Sequence, residues 1–259
     1  VYGINKNKSL FLAVIGNKPL TDGFNAVGAH IDAPRLDLKQ NPLYEDTGLV
    51  LLKTHYYGGI KKYQWTTIPL ALHGVAALTD GTVVDINIGE DDSDPVFLIT
   101  DLLPHLSGKQ NSKKLSEGIP AENLNIVIGS IPSCEESDIA DETKDVSARN
   151  TILAILKEKY GINEDDFKSA EIEAVPAAKA RSLGLDRSMV AAYGQDDRVC
   201  AYPALTALME LGTPEHTALC ILSDKEEIGS VGNTGMKSRN FELFLIDLLE
   251  KTGIISPYA

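Results

Sequence analysis

"HTALCILSDKEEIGS", residues 216–230, decides the fold. Its first nine residues, 216–224, are mostly small, apolar or β-branched, which predicts a buried strand. Helical patterns flank it. "DDRVCAYPALTALMELG" (196–212) precedes it and stops at Gly212, with Pro203 expected to kink it or to confine it to the first turn. "NFELFLIDLLEKTG" (240–253) follows it. A buried strand between two helices is the signature of an α/β layer. The second half of the stretch then sets two adjacent carboxylates, Glu226 and Glu227, on a glycine turn at the strand's end.

Two further apolar runs open the chain: "LFLAVIG" (10–16) and, after a polar loop, "AVGAHID" (26–32). The second reads as a strand buried on both faces. From about 37 to 170 the character changes. "LVLLKTHYYGG", "TTIPLALHGVAAL" and "GTVVDINIG" are short strands punctuated by glycine and turn signals, which predicts a compact β-rich module. Within it, "SGKQNSKKLSEGIPAEN" (107–123) reads as a loop and "VSARNTILAILKEKYG" (146–161) as a helix. That helix would be capped by Ser147 or Asp145 and ended by Gly161. "SAEIEAVPA" (169–177) is a closing strand. The expected organisation is one α/β domain, residues 1–36 and 171–259, interrupted by an inserted β-rich domain, residues 37–170.

Composition narrows the partners. With 43% hydrophobic and 24% charged residues, the chain falls among globular domains. A net charge of −13, from 24 basic and 37 acidic residues, argues against a nucleic-acid or anionic membrane partner. Three widely spaced cysteines, Cys134, Cys200 and Cys220, suggest no disulfide framework, and their apolar flanks suggest buried, reduced thiols. No signal-peptide pattern and no bilayer-length apolar run is present, so the expected location is cytoplasmic. The chain opens at Val1 without Met and stops at "GIISPYA" directly after a helical pattern; both ends read as cut.

Three acidic stations carry the chemistry. "AHID" places His30 and Asp32 two apart at a strand end, where both side chains point the same way. "GQDDRV" places Asp196-Asp197-Arg198 where a helix begins; a carboxylate there can cap the helix or bridge two cations, with the next acidic residue and Arg198 in supporting roles. At Glu226-Glu227, one glutamate can bind a cation while its neighbour stays free to take a proton from water. Taken singly, these are an ordinary strand-end histidine, a helix cap and a solvated turn. Together, His30, Asp196 and Glu227 offer nitrogen and oxygen ligands suited to zinc, cobalt or manganese. Gly229-Ser230 after the pair is expected to let backbone approach closely.

"GAHIDAPRLDLK", "YGQDDRVCAYPAL" and "SDKEEIGSVGNTGM", in this order, resemble the aspartyl aminopeptidase/aminopeptidase I family of dinuclear metallopeptidases. The similarity also takes in "HYYGGIKKYQW" and "LLPHLSGKQN" and so extends over essentially the whole chain. The resemblance implies a mixed α/β sheet with helices on both faces, interrupted by an inserted β-rich dimerisation domain. It implies subunits that assemble into dimers and tetrahedral dodecamers and act on peptides. His30 would bind one of two divalent cations, Asp196 would bridge both, Glu227 would bind the other and Glu226 would be the general base. Asp32 would support His30. His105 resembles a histidine of the inserted domain that reaches a neighbouring subunit's active site.

One departure stands out. The family's further Asp ligand and late His ligand both lie downstream of the Glu-Glu pair. Here the last histidine is His216, and the sole aspartate after Glu227 is Asp247, inside a helical pattern. Two alternatives therefore stand beside a metalloaminopeptidase: a catalytically incomplete fragment or degenerate subunit acting in assembly or binding, and a related dinuclear deacylase.

Overall fold

The computed structural model describes residues 1–132 and 147–254. Cys134, Asp145 and the terminal "ISPYA" lie outside them. In chain order the strands and main helices are β1 (Tyr2–Asn5), β2 (Ser9–Val14), β3 (Phe24–His30), β4 (Arg35–Asp46), β5 (Leu49–Tyr57), β6 (Leu70–Ala77), β7 (Val83–Ile88) and β8 (Ile126–Gly129). Then come α1 (Ala148–Tyr160), β9 (Ala170–Pro176), β10 (Arg181–Leu183), β11 (Met189–Ala191), α2 (Gln195–Met209), β12 (Thr217–Ser223) and α3 (Asn240–Lys251). They divide into two compact units, residues 1–34 with 194–259, and residues 35–193.

The first unit holds a four-stranded sheet in the order β1-β2-β12-β3. β12 runs antiparallel to β2 and parallel to β3, which makes the sheet mixed. The period-2 alternation of β2 and β12 puts a helix on each face. Ala13 and Leu219 pack with Phe244 and Leu248 of α3, and Phe11 stacks at 5.6 Å on both Phe241 and Phe244. The intervening residues Leu12, Cys220 and Leu222 turn to the other face and meet Ala204 and Leu208 of α2. Pro203 lies inside α2, which continues past it to Met209.

Two sequence expectations change here. β3 has the composition of a strand buried on both faces, yet it is an edge strand, and Phe24 and Val27 are exposed. Burial depends on neighbours, and among the described residues only β12 pairs with β3. Cys220 is fully buried as expected, and its burial pushes the thiol pKa up. Cys200 instead lies on the exposed side of α2, because the face of α2 that meets the sheet carries Ala201, Ala204 and Leu208.

The second unit holds a six-stranded antiparallel sheet, β7-β6-β9-β4-β5-β8. β9, the closing strand that the expected domain boundary at 170/171 cut through, pairs with both β6 and β4, and the chain leaves this unit only at Tyr193. α1 covers the sheet. Ser147 caps it by accepting from the Asn150 N–H at 3.3 Å, and Gly161, at φ +70°, ends it. The 107–123 stretch contains two four-residue helical turns, Gly108–Asn111 and Leu115–Gly118, where a loop was expected. Among the described residues no helix is long and apolar enough to cross a membrane.

Candidate active site and metal centre

The parallel pairing of β3 with β12 builds the site. Their register sets His30 opposite Ser223, and the Ile31 N–H donates to the Ser223 carbonyl at 2.9 Å. Both strands therefore end together, and the segments leaving them run side by side. This carboxyl edge is where open α/β sheets place ligands. Asp32, 6% exposed, lies just past β3. Its carboxylate accepts from the main-chain N–H groups of Glu226 (3.1 Å) and Glu227 (3.2 Å). Toward His30 it offers chiefly its carbonyl oxygen, 3.0 Å from Nδ1, with the carboxylate at 3.9 Å.

The Glu-Glu bend is a short helical turn, Glu226–Ile228, entered through Lys225 at φ +67° and left through Gly229 at φ +82°. A Cβ at Gly229 would meet nothing within 4 Å, so this glycine serves a left-handed backbone rather than a close approach. That corrects the expectation for Gly229.

α2 delivers the third station. Its first turn carries Asp196, exposed, and Asp197, 3% exposed, at a helix N-terminus that favours negative charge. Asp197 Oδ1 lies 3.3 Å from His30 Nδ1. The potential ligand atoms of His30, Glu226 and Glu227 all fall within 4.8 Å of one another, as do those of His30, Asp196 and Asp197. The structure thus brings together His30, Asp32, Asp196, Glu226 and Glu227. His105 belongs to the second unit, is exposed, and joins neither grouping among the described residues. Asp247 sits inside α3, outside both groupings.

The electrostatics suit a cation. Burial lowers the His30 pKa, but the Asp32 carbonyl and the charges of Asp197, Glu226 and Asp32 outweigh it, and the net shift is upward. Asp197 is also raised, by burial first and then by the charge of Asp196, with His30 and Arg198 opposing. Asp197 Oδ1 is buried without a hydrogen-bond donor; the nearby His30 nitrogen is taken up by the Asp32 carbonyl. An orphaned acceptor is costly, and a cation would satisfy it. With one imidazole and four carboxylates, the donor set fits zinc or a similar divalent ion. Asp197 in ligand range and the Asp32 contact with both glutamate amides were not read from the sequence. The adjacent acids of "QDD" signalled the first; the second depends on residues brought together only by the sheet.

Comparisons with known proteins point the same way. The family model for aminopeptidase I zinc metalloprotease (M18) matches residues 1–256. A probable M18 family aminopeptidase 1 of Clostridium acetobutylicum is 54% identical over 98% of this chain and 53% of its own length. One from Thermotoga maritima is 47% identical over 99% of this chain and 58% of its own. The crystal structure of the M18 aminopeptidase from Thermotoga maritima superposes with TM-score 0.90 at 48% identity, covering 99% of this chain and 55% of that one. That of aminopeptidase I from Clostridium acetobutylicum gives 0.88 at 49% identity, over 97% and 54%. A structure described as the S. cerevisiae mApe1 dodecamer shares the fold, with TM-score 0.67 at 19% identity over 94% and 53%. The chain spans about half the length of the curated relatives it matches.

Proposed function

Since the chain belongs to the M18 family of aminopeptidase I zinc metalloproteases, we propose that it carries the metal centre of an aminopeptidase that removes N-terminal residues from peptides. The observation that carries this reading is the convergence of His30, Asp196, Asp197, Glu226 and Glu227 at the shared end of β3 and β12. His30 and Glu227 would each hold one of two divalent cations, zinc foremost and cobalt or manganese as substitutes, and Asp196 would be a ligand shared by both. When bound, the cations supply Lewis-acid polarisation of the scissile carbonyl and acidify the attacking water. Glu226 takes the proton from that water and returns it to the leaving amine. Asp32 holds the bend so that the two glutamates keep separate tasks. The second unit is the dimerisation domain, His105 reaches the site of a neighbouring subunit, and dimers build a tetrahedral dodecamer.

Glu226→Gln is expected to keep zinc while abolishing release of p-nitroaniline from amino-acid p-nitroanilides; full activity would refute the base assignment. Glu227→Ala is expected to lose zinc, read by elemental analysis, and an unchanged metal content would count against its ligand role. Turnover of acylated amino acids in place of the anilides would redirect the reading to a deacylase. Fewer than two zinc ions per chain, with no hydrolysis, would point instead to a subunit acting in assembly or binding.

A further inference from the structure

The Glu226–Glu227 bend is tied down by a buried polar network that the proposed chemistry does not use. Asp224, the first residue after β12, is 5% exposed. Its main-chain N–H donates to Ser9 Oγ at 3.0 Å, and Ser9 Oγ donates to the Thr234 carbonyl at 2.6 Å. Thr234 Oγ1 donates in turn to Asp224 Oδ2. Ser9 and Thr234 are 3% and 4% exposed, so the ring of contacts is out of water. It joins the start of β2, distant in sequence, to both limbs of the loop that carries the two glutamates, at Asp224 and at Thr234.

The loop needs such an anchor. Lys225, immediately before Glu226, and Ser230, shortly after Glu227, both hold positive φ, at +67° and +61°. Non-glycine residues persist in that conformation only where their surroundings over-determine it. The limbs are closed by the Ser230 N–H donating to the Lys225 carbonyl at 2.7 Å and by a parallel bridge between Asp224 and Gly235. Gly235 passes so close to Ser230 that an added Cβ would stand 2.7 Å from its carbonyl carbon. A buried carboxylate is costly unless its bonds are made, and here they are made to the opposite limb, with Lys225 Nζ 3.7 Å away.

We propose that Ser9, Asp224 and Thr234 are positioning residues, a clamp that fixes the direction in which Glu226 and Glu227 face His30. The clamp works together with the Asp32 carboxylate, which takes the two glutamate amides from the other side. The inference rests on the roles given to Glu226 and Glu227 above.

Thr234→Val keeps the shape and removes the hydroxyl; Thr234→Ser restores it. Hydrogen exchange on the metal-free protein is expected to run about tenfold faster at the amides of residues 226–230 in Thr234→Val, since the lost bond leaves a buried acceptor unpaired. Exchange in β2 and β12 should stay unchanged, and Thr234→Ser should return the loop to wild type. Zinc affinity, titrated with the metal alone, is expected to fall by about 10–100-fold in the valine variant, with kcat lowered more than KM is raised. Should Thr234→Val not fold, Ser9→Ala reads the same amides. Unchanged loop exchange would overturn the clamp, as would protection lost throughout the unit or faster loop exchange with wild-type zinc affinity. A wild-type chain that binds no zinc would sink the metal-centre reading; the exchange comparison would still decide whether the clamp holds the bend.

Discussion

His30 is the residue on which both acidic groupings meet, and its protonation ties metal binding to pH. A metal takes the neutral imidazole, so protons compete with it below the folded-state pKa, which lies above the ordinary 6.5. Zinc affinity is expected to keep rising as pH climbs beyond that ordinary value, by about tenfold per pH unit for each proton displaced. The metal-free chain behaves oppositely. A raised histidine pKa contributes stability that is fully present below the unfolded value and disappears as pH rises through the folded one. Isothermal titration at several pH values reads the first trend, and urea midpoints of the metal-free protein read the second. A flat zinc affinity across neutral pH would place His30 outside the ligand set.

At the scale of elements, what could be read from the sequence was what nearest neighbours decide. α1 is bounded by Ser147 and Gly161 because a cap and a left-handed stop are local choices. The apolar run 216–224 announced a buried strand, and in the structure its Leu219 meets one helix while its Cys220 and Leu222 meet another. His30, Asp196, Glu226 and Glu227, whose side chains the structure brings together, could be singled out because each sits in a motif at an element's end. Long-range pairing was not legible. β9 joins β6 and β4 across the sheet, and Asp32 meets the Glu226 amide over a separation of 194 residues. Gly74 of β6 marks how tight one such pairing is. It holds φ +152°, and an added Cβ would overlap the Glu171 carbonyl oxygen and stand 2.8 Å from Ile172 Cα of β9. Backbone lines that space, so Gly74→Ala is expected to destabilise the second unit by about 3 kcal/mol, read as a lower urea midpoint.

Across the whole molecule, the proposed ligands, His30, Asp196, Asp197, Glu226 and Glu227, all belong to the first unit, residues 1–34 and 194–259. Removing the metal should therefore weaken one unit selectively. Zinc held at about 1,000 times its dissociation constant adds about 4 kcal/mol to whatever binds it. Chelation is expected to raise hydrogen exchange in β2, β3 and β12 while leaving the β4–β9 sheet as protected as before. Equal loss in both sheets would show that the ion supports more than the first unit.

The place of β12 between β2 and β3 also sets an order of events during synthesis. When β3 leaves the ribosome β12, its sheet partner among the described residues, does not yet exist. About 190 residues must follow at roughly 5–20 per second, a wait on the order of 10–40 s. The contiguous second unit, residues 35–193, emerges in that interval and has all of its strands in hand before β12 arrives. The carboxylates of the bend then meet His30 in one late insertion, after the strands of the second unit have emerged.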